Sequence, residues 1–265
     1  IRQMADTYTE GYRLGFLATG KDISIKSTVG ISYPIGMERM VCAAVRNFEK
    51  IGLRPVIYRD AISSFNGRGG AKRGCYSTAV NKQFDYDHKN DRALYLDKAF
   101  VERRLETLRT AFERYKDLAK RYGGPAVIEV FGEEAFAPHV KPEAFRYDEK
   151  QNQLNVYYAS ESAQITNRYI PGEERSFTII AFPTPEIGED FPEIFDEVIR
   201  INTLDYKLYQ QIQQKLIDTL DLGKYVLIRG MKGNRTNLRV MLHPLEDAEK
   251  QTNFENCVAD VNIPV

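Results

Sequence analysis

Histidine and cysteine are scarce in this chain, with three of each in 265 residues. Cys42, Cys75 and Cys257 are odd in number and widely spaced. They form no CxxC pair, which argues against a disulfide framework and against a zinc ribbon. An excess of one charge sign is also missing: Lys plus Arg is 37, Asp plus Glu is 37, and the formal net charge is zero. That balance argues against nucleic acid as the main partner, since phosphate binding leaves a surplus of cations. No apolar run reaches about eighteen residues, and the N-terminus lacks the charged-then-apolar form of a signal peptide. The expectation is therefore a soluble, cytoplasmic chain with no membrane partner. It opens on Ile1 and reads like the interior of a helix by residue 7, so it is expected to be a piece of a larger protein.

What is present is enough apolar sequence, 43%, for one large domain or two small ones. Met37, Met40, Val41, Ala44, Val45, Phe48 and Ile51 recur at three- and four-residue spacing, the mark of one buried helical face. Gly52 supplies a left-handed stop, and Val56-Ile57-Tyr58 follows as a short buried strand. The unit recurs. A stripe from Val101 to Tyr122 precedes a strand at 126–131, and a helix over 148–169 precedes one at 177–182. A stripe of Leu204, Leu208, Ile212, Leu216 and Leu220 precedes one at 225–229. Four such repeats with unbroken apolar strands predict an α/β fold: a wound, mostly parallel sheet with helices on both faces. After Gly230 the pattern alternates, so 224–242 also reads as a hairpin opening a β-rich second domain. The expected division is 1–223 for the α/β domain and 224–265 for the beginning of the next.

Several segments have side chains suited to chemistry, and each has a plainer reading. Residues 66–74 are glycine-rich and basic but carry Arg73 where a phosphate loop needs serine or threonine, so a surface loop is the expectation. Asp85, Asp87, His88 and Asp91 gather ligand-type groups, yet in an extended segment neighbours point to alternate sides. A solvated turn capping the helix after Asp97 is expected there. Glu133 and Glu134 follow one strand, and Glu186, Glu189 and Asp190 follow another. Ligand crevices in wound sheets lie beyond such strand ends, but acids at helix N-termini also complement the dipole. His139 and His243 read as loop residues, and Cys75 has no local histidine partner. No catalytic, cofactor-binding or metal-ligating residue is assigned.

The last third is more specific. Residues 225–245 (YVLIRGMKGNRTNLRVMLHPL), followed by FENCVADVNIPV, resemble the stretch leading into the catalytic domain of the aminopeptidase T family, the thermophilic metalloprotease-type leucyl aminopeptidases. In that family a Gly-x-x-Thr-Asp-Leu element starts a strand, and an Asn-x-Pro corner precedes the first metal-binding glutamate. This sequence has Gly233-Asn234-Arg235-Thr236-Asn237-Leu238 and then Asn262-Ile263-Pro264, with Asn237 where the family has aspartate. The resemblance implies the N-terminal portion of a metal-dependent aminopeptidase acting on peptide substrates, with two divalent ions (Zn, Co or Mn) in the full-length enzyme and a homodimer as one assembly. It also implies that the metal ligands and catalytic tyrosine lie downstream, so this chain alone is expected to bind no metal tightly and to hydrolyse nothing. The alternatives left open are an autonomous α/β module binding a small anion through the 66–74 loop, or a structural or dimerisation domain.

Overall fold

A computed structural model describes residues 1–18, 20–61, 72–73, 81–132, 135–202, 205–247 and 249–254. The chain divides into two compact units, Ile1–Ile199 and Arg200–Val265.

The first unit is built on a five-stranded sheet of order β3-β2-β1-β4-β5. Its strands are β1 (Thr28–Pro34), β2 (Arg54–Ala61), the two-residue β3 (Lys72–Arg73), β4 (Tyr122–Phe131) and β5 (Thr178–Pro183). All neighbours are parallel except β2 and β3. The expected α/β architecture with a largely parallel sheet is the one observed. At its centre lies a strand the sequence reading omitted. In β1, Val29, Ile31 and Tyr33 are buried on one face, while the alternate positions are Gly30, Ser32 and Pro34. Those small residues interrupt the apolar run by which a central strand is recognised.

Helix α1 (Arg2–Ala18) places Met4, Tyr8, Tyr12 and Phe16 on one buried stripe at four-residue spacing. The stripe packs on α2 (Glu38–Lys50), where Met40, Val41, Ala44 and Phe48 are buried. The Phe48 ring meets Tyr8 and Tyr12 edge-on, with centroids at 5.9 and 5.3 Å. Ala126, Ile128, Ile180 and Phe182 complete this core from the sheet. Phe195, Val198 and Ile199 of α7 (Phe191–Asn202) pack against it. As read from the sequence, α2 stops at Gly52, whose φ is +86°.

The remaining helices of this unit are α3 (Lys82–Asp87), α4 (Lys98–Arg114), α5 (Lys116–Lys120) and α6 (Glu149–Tyr169). The single helical stripe expected from Val101 to Tyr122 is broken at Tyr115, which ends α4 and precedes α5. Helices α4 and α6 bury Val101, Leu105 and Ile165 against each other in a second cluster that contains no strand residue. Gly123-Gly124-Pro125, which falls between the stripe and the strand expected at 126–131, lies inside β4. Gly124 has φ +115°, and a Cβ there would strike the Ser176 carbonyl.

The second unit contains α8 (Tyr206–Asp221) and an antiparallel hairpin of β6 (Tyr225–Arg229) and β7 (Asn237–Met241). Two corrections belong here. Among the described residues, strand 225–229 pairs with β7 in a separate two-stranded sheet and with no strand of the parallel one. On α8 the stripe of Leu208, Ile212 and Leu216 is exposed, while Gln213 and Ile217 are buried. The division between units falls ahead of α8, which groups that helix with the hairpin.

Candidate functional site

In a wound sheet the crevice for a ligand lies where neighbouring strands send their crossovers in opposite directions. Here that point is between β1, which connects to β2, and β4, which connects to β5 on the other side. The β1 end is Pro34-Ile35-Gly36, and the β4 end is Phe131-Gly132. Gly36 takes φ +101° and donates its N–H to Glu38 Oε2 at 2.9 Å. The α2 N-terminus thus carries its own carboxylate, and an incoming anion would meet that charge. Across the gap, the Ile187 side chain lies 2.7 Å from where a Cβ on Gly132 would sit, so only glycine allows this approach. Thr184 donates its N–H to Phe131 O at 2.8 Å, and its buried Oγ1 has no hydrogen-bond partner among the described residues. Among the described residues the junction thus brings together the Ile187 side chain, the Gly132 backbone and the Glu38 carboxylate, with Glu186 beside Ile187 in a short 3-10 helix.

The acid-rich segment at 85–91 is drawn into local structure. Asp87 accepts from Lys141 Nζ at 2.7 Å and from Gln83 Nε2 at 2.6 Å. The Lys141 ammonium holds the Asp87 carboxyl below its ordinary range. His88 pairs with Asp91 at 2.8 Å, and its ring lies over Phe84 at 4.2 Å. The cap expected from this cluster is supplied by other residues: Asn81 caps α3, and Asp97 itself caps α4 through the Phe100 N–H at 2.7 Å. His139 exchanges backbone hydrogen bonds with the Gln83 amide, both at 2.9 Å, 56 residues away in sequence. Among the described residues no group of three or more His, Cys, Asp or Glu could hold a metal ion. Glu133, Glu134, Cys75 and Cys257, and the 66–74 loop apart from the backbone of 72–73, lie outside the described residues. No described helix is long and apolar enough to cross a membrane.

Sequence reasoning missed a lock at the amino ends of the strands. Ser176 donates its Oγ–H to Tyr12 O at 2.9 Å, and its N–H to Gly123 O at 2.9 Å. Nearby, the Lys26 ammonium is buried between Lys120 O at 2.8 Å and Glu174 Oε2 at 3.1 Å. The role is structural: it ties β1, β4 and α1 together at the end opposite the crevice. A buried stripe beginning at residue 4 was the available signal.

The second unit contributes the hairpin. Met231 to Asn234 form a tight turn, closed by Asn234 N–H to Met231 O at 3.1 Å, with Lys232 and Gly233 at φ +53° and +88°. Asn234 Oδ1 then accepts from Thr236 N and Oγ1 at 2.8 and 2.7 Å, and β7 begins at Asn237. Cross-strand pairing puts Val226, Ile228, Leu238 and Val240 on one face. Tyr225, Leu227, Arg229, Asn237, Arg239 and Met241 lie on the other, with the Arg239 guanidinium 3.9 Å from the Tyr225 ring centre. Ile228, Leu238 and Val240 remain 39%, 50% and 39% exposed. From Leu222 to Leu245 the chain has five Lys and Arg residues and no Asp or Glu.

No protein-family model matches the sequence. No curated protein matches it either. Among solved structures the chain is similar to wild-type AmpT from Thermus thermophilus, at 13% identity and a TM-score of 0.42. The match covers 91% of this chain and 53% of that one, so this chain spans about half the length of the solved protein.

Proposed function

We propose that this chain is the N-terminal portion of a metal-dependent aminopeptidase: an α/β domain followed by the opening of a β-rich catalytic domain at 224–265. The observation that carries the reading is an ordered pair of motifs, Gly233 to Leu238 and then Asn262-Ile263-Pro264. The local geometry supports the first motif. The resemblance expects a Gly-x-x-Thr-Asp-Leu element to start a strand, and here, with Asn237 in place of the aspartate, Gly233 closes the turn, Thr236 is held by Asn234, and Leu238 is the second residue of β7.

On this reading the chemistry belongs to residues outside the chain. Two divalent ions in the whole enzyme would lower the pKa of a bridging water and supply hydroxide near neutral pH. Sequencing the reading frame past Val265 tests the proposal. A continuation with a Gly-Glu-Val-like segment, followed by further glutamates, histidines and an aspartate, is expected, and a stop codon there overturns it. A calorimetric titration of the 265-residue chain with zinc, cobalt or manganese should register no stoichiometric site at micromolar affinity, whereas the extended protein should register two.

A further inference from the structure

Strand β5 is the last of the parallel sheet, and its outer edge lacks the usual protection. Ser176 and Thr184 donate their N–H groups to Gly123 O and Phe131 O of β4, at 2.9 and 2.8 Å. Successive residues of a parallel strand turn their backbone groups to opposite sides, so Phe177, Ile179 and Ala181 present theirs to the outside. Among the described strands none pairs with them. Natural edges of this kind are blunted by charged side chains. Here residues 176–185 contain no Lys, Arg, Asp or Glu. The side chains of Phe177 and Ile179 lie on the face opposite buried Ile180 and Phe182, and are 52% and 48% exposed.

Both ends of this edge are closed, and that fixes what can pair with it. At the amino end α1 stands alongside: Ser176 donates its Oγ–H to Tyr12 O, and a Cβ on Gly15 would lie 3.8 Å from Phe177 O. At the carboxyl end Pro183 has no N–H to give. Ile179 and Ala181 are left as the open positions. A charged strand would find no counter-charge within 176–185. A second copy of the same edge, run antiparallel about a two-fold axis through Ile180, meets every requirement. Ile179 then faces Ala181 of the second copy, and each such pair exchanges N–H···O bonds in both directions. A large side chain meets a small one on either side of the axis, Phe177 reaches Pro183 of the second copy, and no like charges are opposed. So short a ladder buries less than the roughly 800 Å² per partner of a standard interface, so the dimer is expected to dissociate on dilution.

We propose that β5 pairs with β5 of a second copy, continuing the sheet across a two-fold axis. The family resemblance implies a homodimer as one assembly but assigns it no surface. This surface lies in the first unit and does not depend on the peptidase reading. Sedimentation velocity of the 265-residue chain over a series of concentrations should show monomer giving way to dimer. Hydrogen exchange at Ile179 and Ala181 should slow over the same series, while the Ile180 amide, already turned to β4, should not change. Ile179→Lys, at a half-exposed position, should raise the dimer dissociation constant about tenfold, and so should Ala181→Glu. Mixing the two variants should restore association, because the new ammonium then faces the new carboxylate across the axis. Circular dichroism checks that both variants keep the fold. If either does not, the alternating exchange pattern of the parent chain decides alone. A chain that stays monomeric at every concentration overturns the inference. So does a dimer that leaves exchange at Ile179 and Ala181 unchanged, or one that folded Ile179→Lys does not weaken. A mixture of folded variants no tighter than either alone overturns the register centred on Ile180, and with it the inference.

Discussion

At Gly124 two constraints coincide: a left-handed φ of +115° and a carbonyl, Ser176 O, where a side chain would begin. Gly124→Ala should therefore destabilise the protein by about 3 kcal/mol, because neither the backbone angle nor the neighbouring backbone can give way cheaply. Gly172 has open space and no such angle. Gly172→Ala is the control, expected to lie within about 0.5 kcal/mol of the parent in urea titrations. Asp87 makes a prediction of another kind. Its folded-state pKa is depressed by Lys141, so the contribution is present above the unfolded value of 3.8 and is lost as pH falls through the lower folded one. In carbon-detected NMR titrations the Asp87 midpoint should lie below 3.8 and rise toward it in Lys141→Ala. An unchanged midpoint would mean that the ion pair does not persist in solution.

Among the elements, α6 was the most legible. Asp148 accepts from Gln151 N at 2.7 Å, and the Gln151 side chain reaches back to the Asp148 N–H. This capping box is visible as Asp-x-x-Gln before a helical stretch. Asp148→Ala should cost about 1 kcal/mol, read as a lower thermal midpoint. Helix α8 shows where periodicity misleads. Leu208, Ile212 and Leu216 repeat every four residues, and the sequence reading took that repeat as the buried face. The structure buries Gln213 and Ile217 one position further round. A four-residue repeat identifies an apolar stripe but not what covers it. The central strand was lost for the converse reason. Its second face is made of glycine, serine and proline, and no hydrophobicity pattern separates a narrow buried strand of that kind from a loop. The hairpin was legible because its turn chemistry is local, whereas its strand at 225–229 was also drawn into the parallel sheet. Only non-local pairing could have separated the two. Of the junction at the β1 and β4 ends only the β4 side was legible, as acids following a strand, since its β1 side depends on a strand distant in sequence becoming a neighbour.

For the whole molecule, the protected and the open regions should separate cleanly. Amides of Val29 and Ile31 lie in a strand flanked by parallel partners on both sides, and their exchange should require global unfolding. Amides of Leu227 and Arg239 face outward from an exposed ribbon and should exchange within the dead time of the same experiment. Slow exchange in the hairpin of the isolated chain would mean that an edge is already covered, contrary to the reading of 224–265 as the opening of a domain.

The aromatic stripe of α1 also decides how this protein can be watched. The chain has sixteen tyrosines and no tryptophan, so its near-ultraviolet signal is a tyrosine signal. Burial holds the phenols of Tyr8 and Tyr12 above the ordinary value of 10.0. The unfolded chain ionises there while the folded chain does not, so stability falls as pH rises through that value. An alkaline titration followed by phenolate absorbance should accordingly run in two stages. The exposed rings respond at once and reversibly. The α1 rings respond only as fast as the core opens, which makes their slow phase an intrinsic clock for unfolding that needs no label.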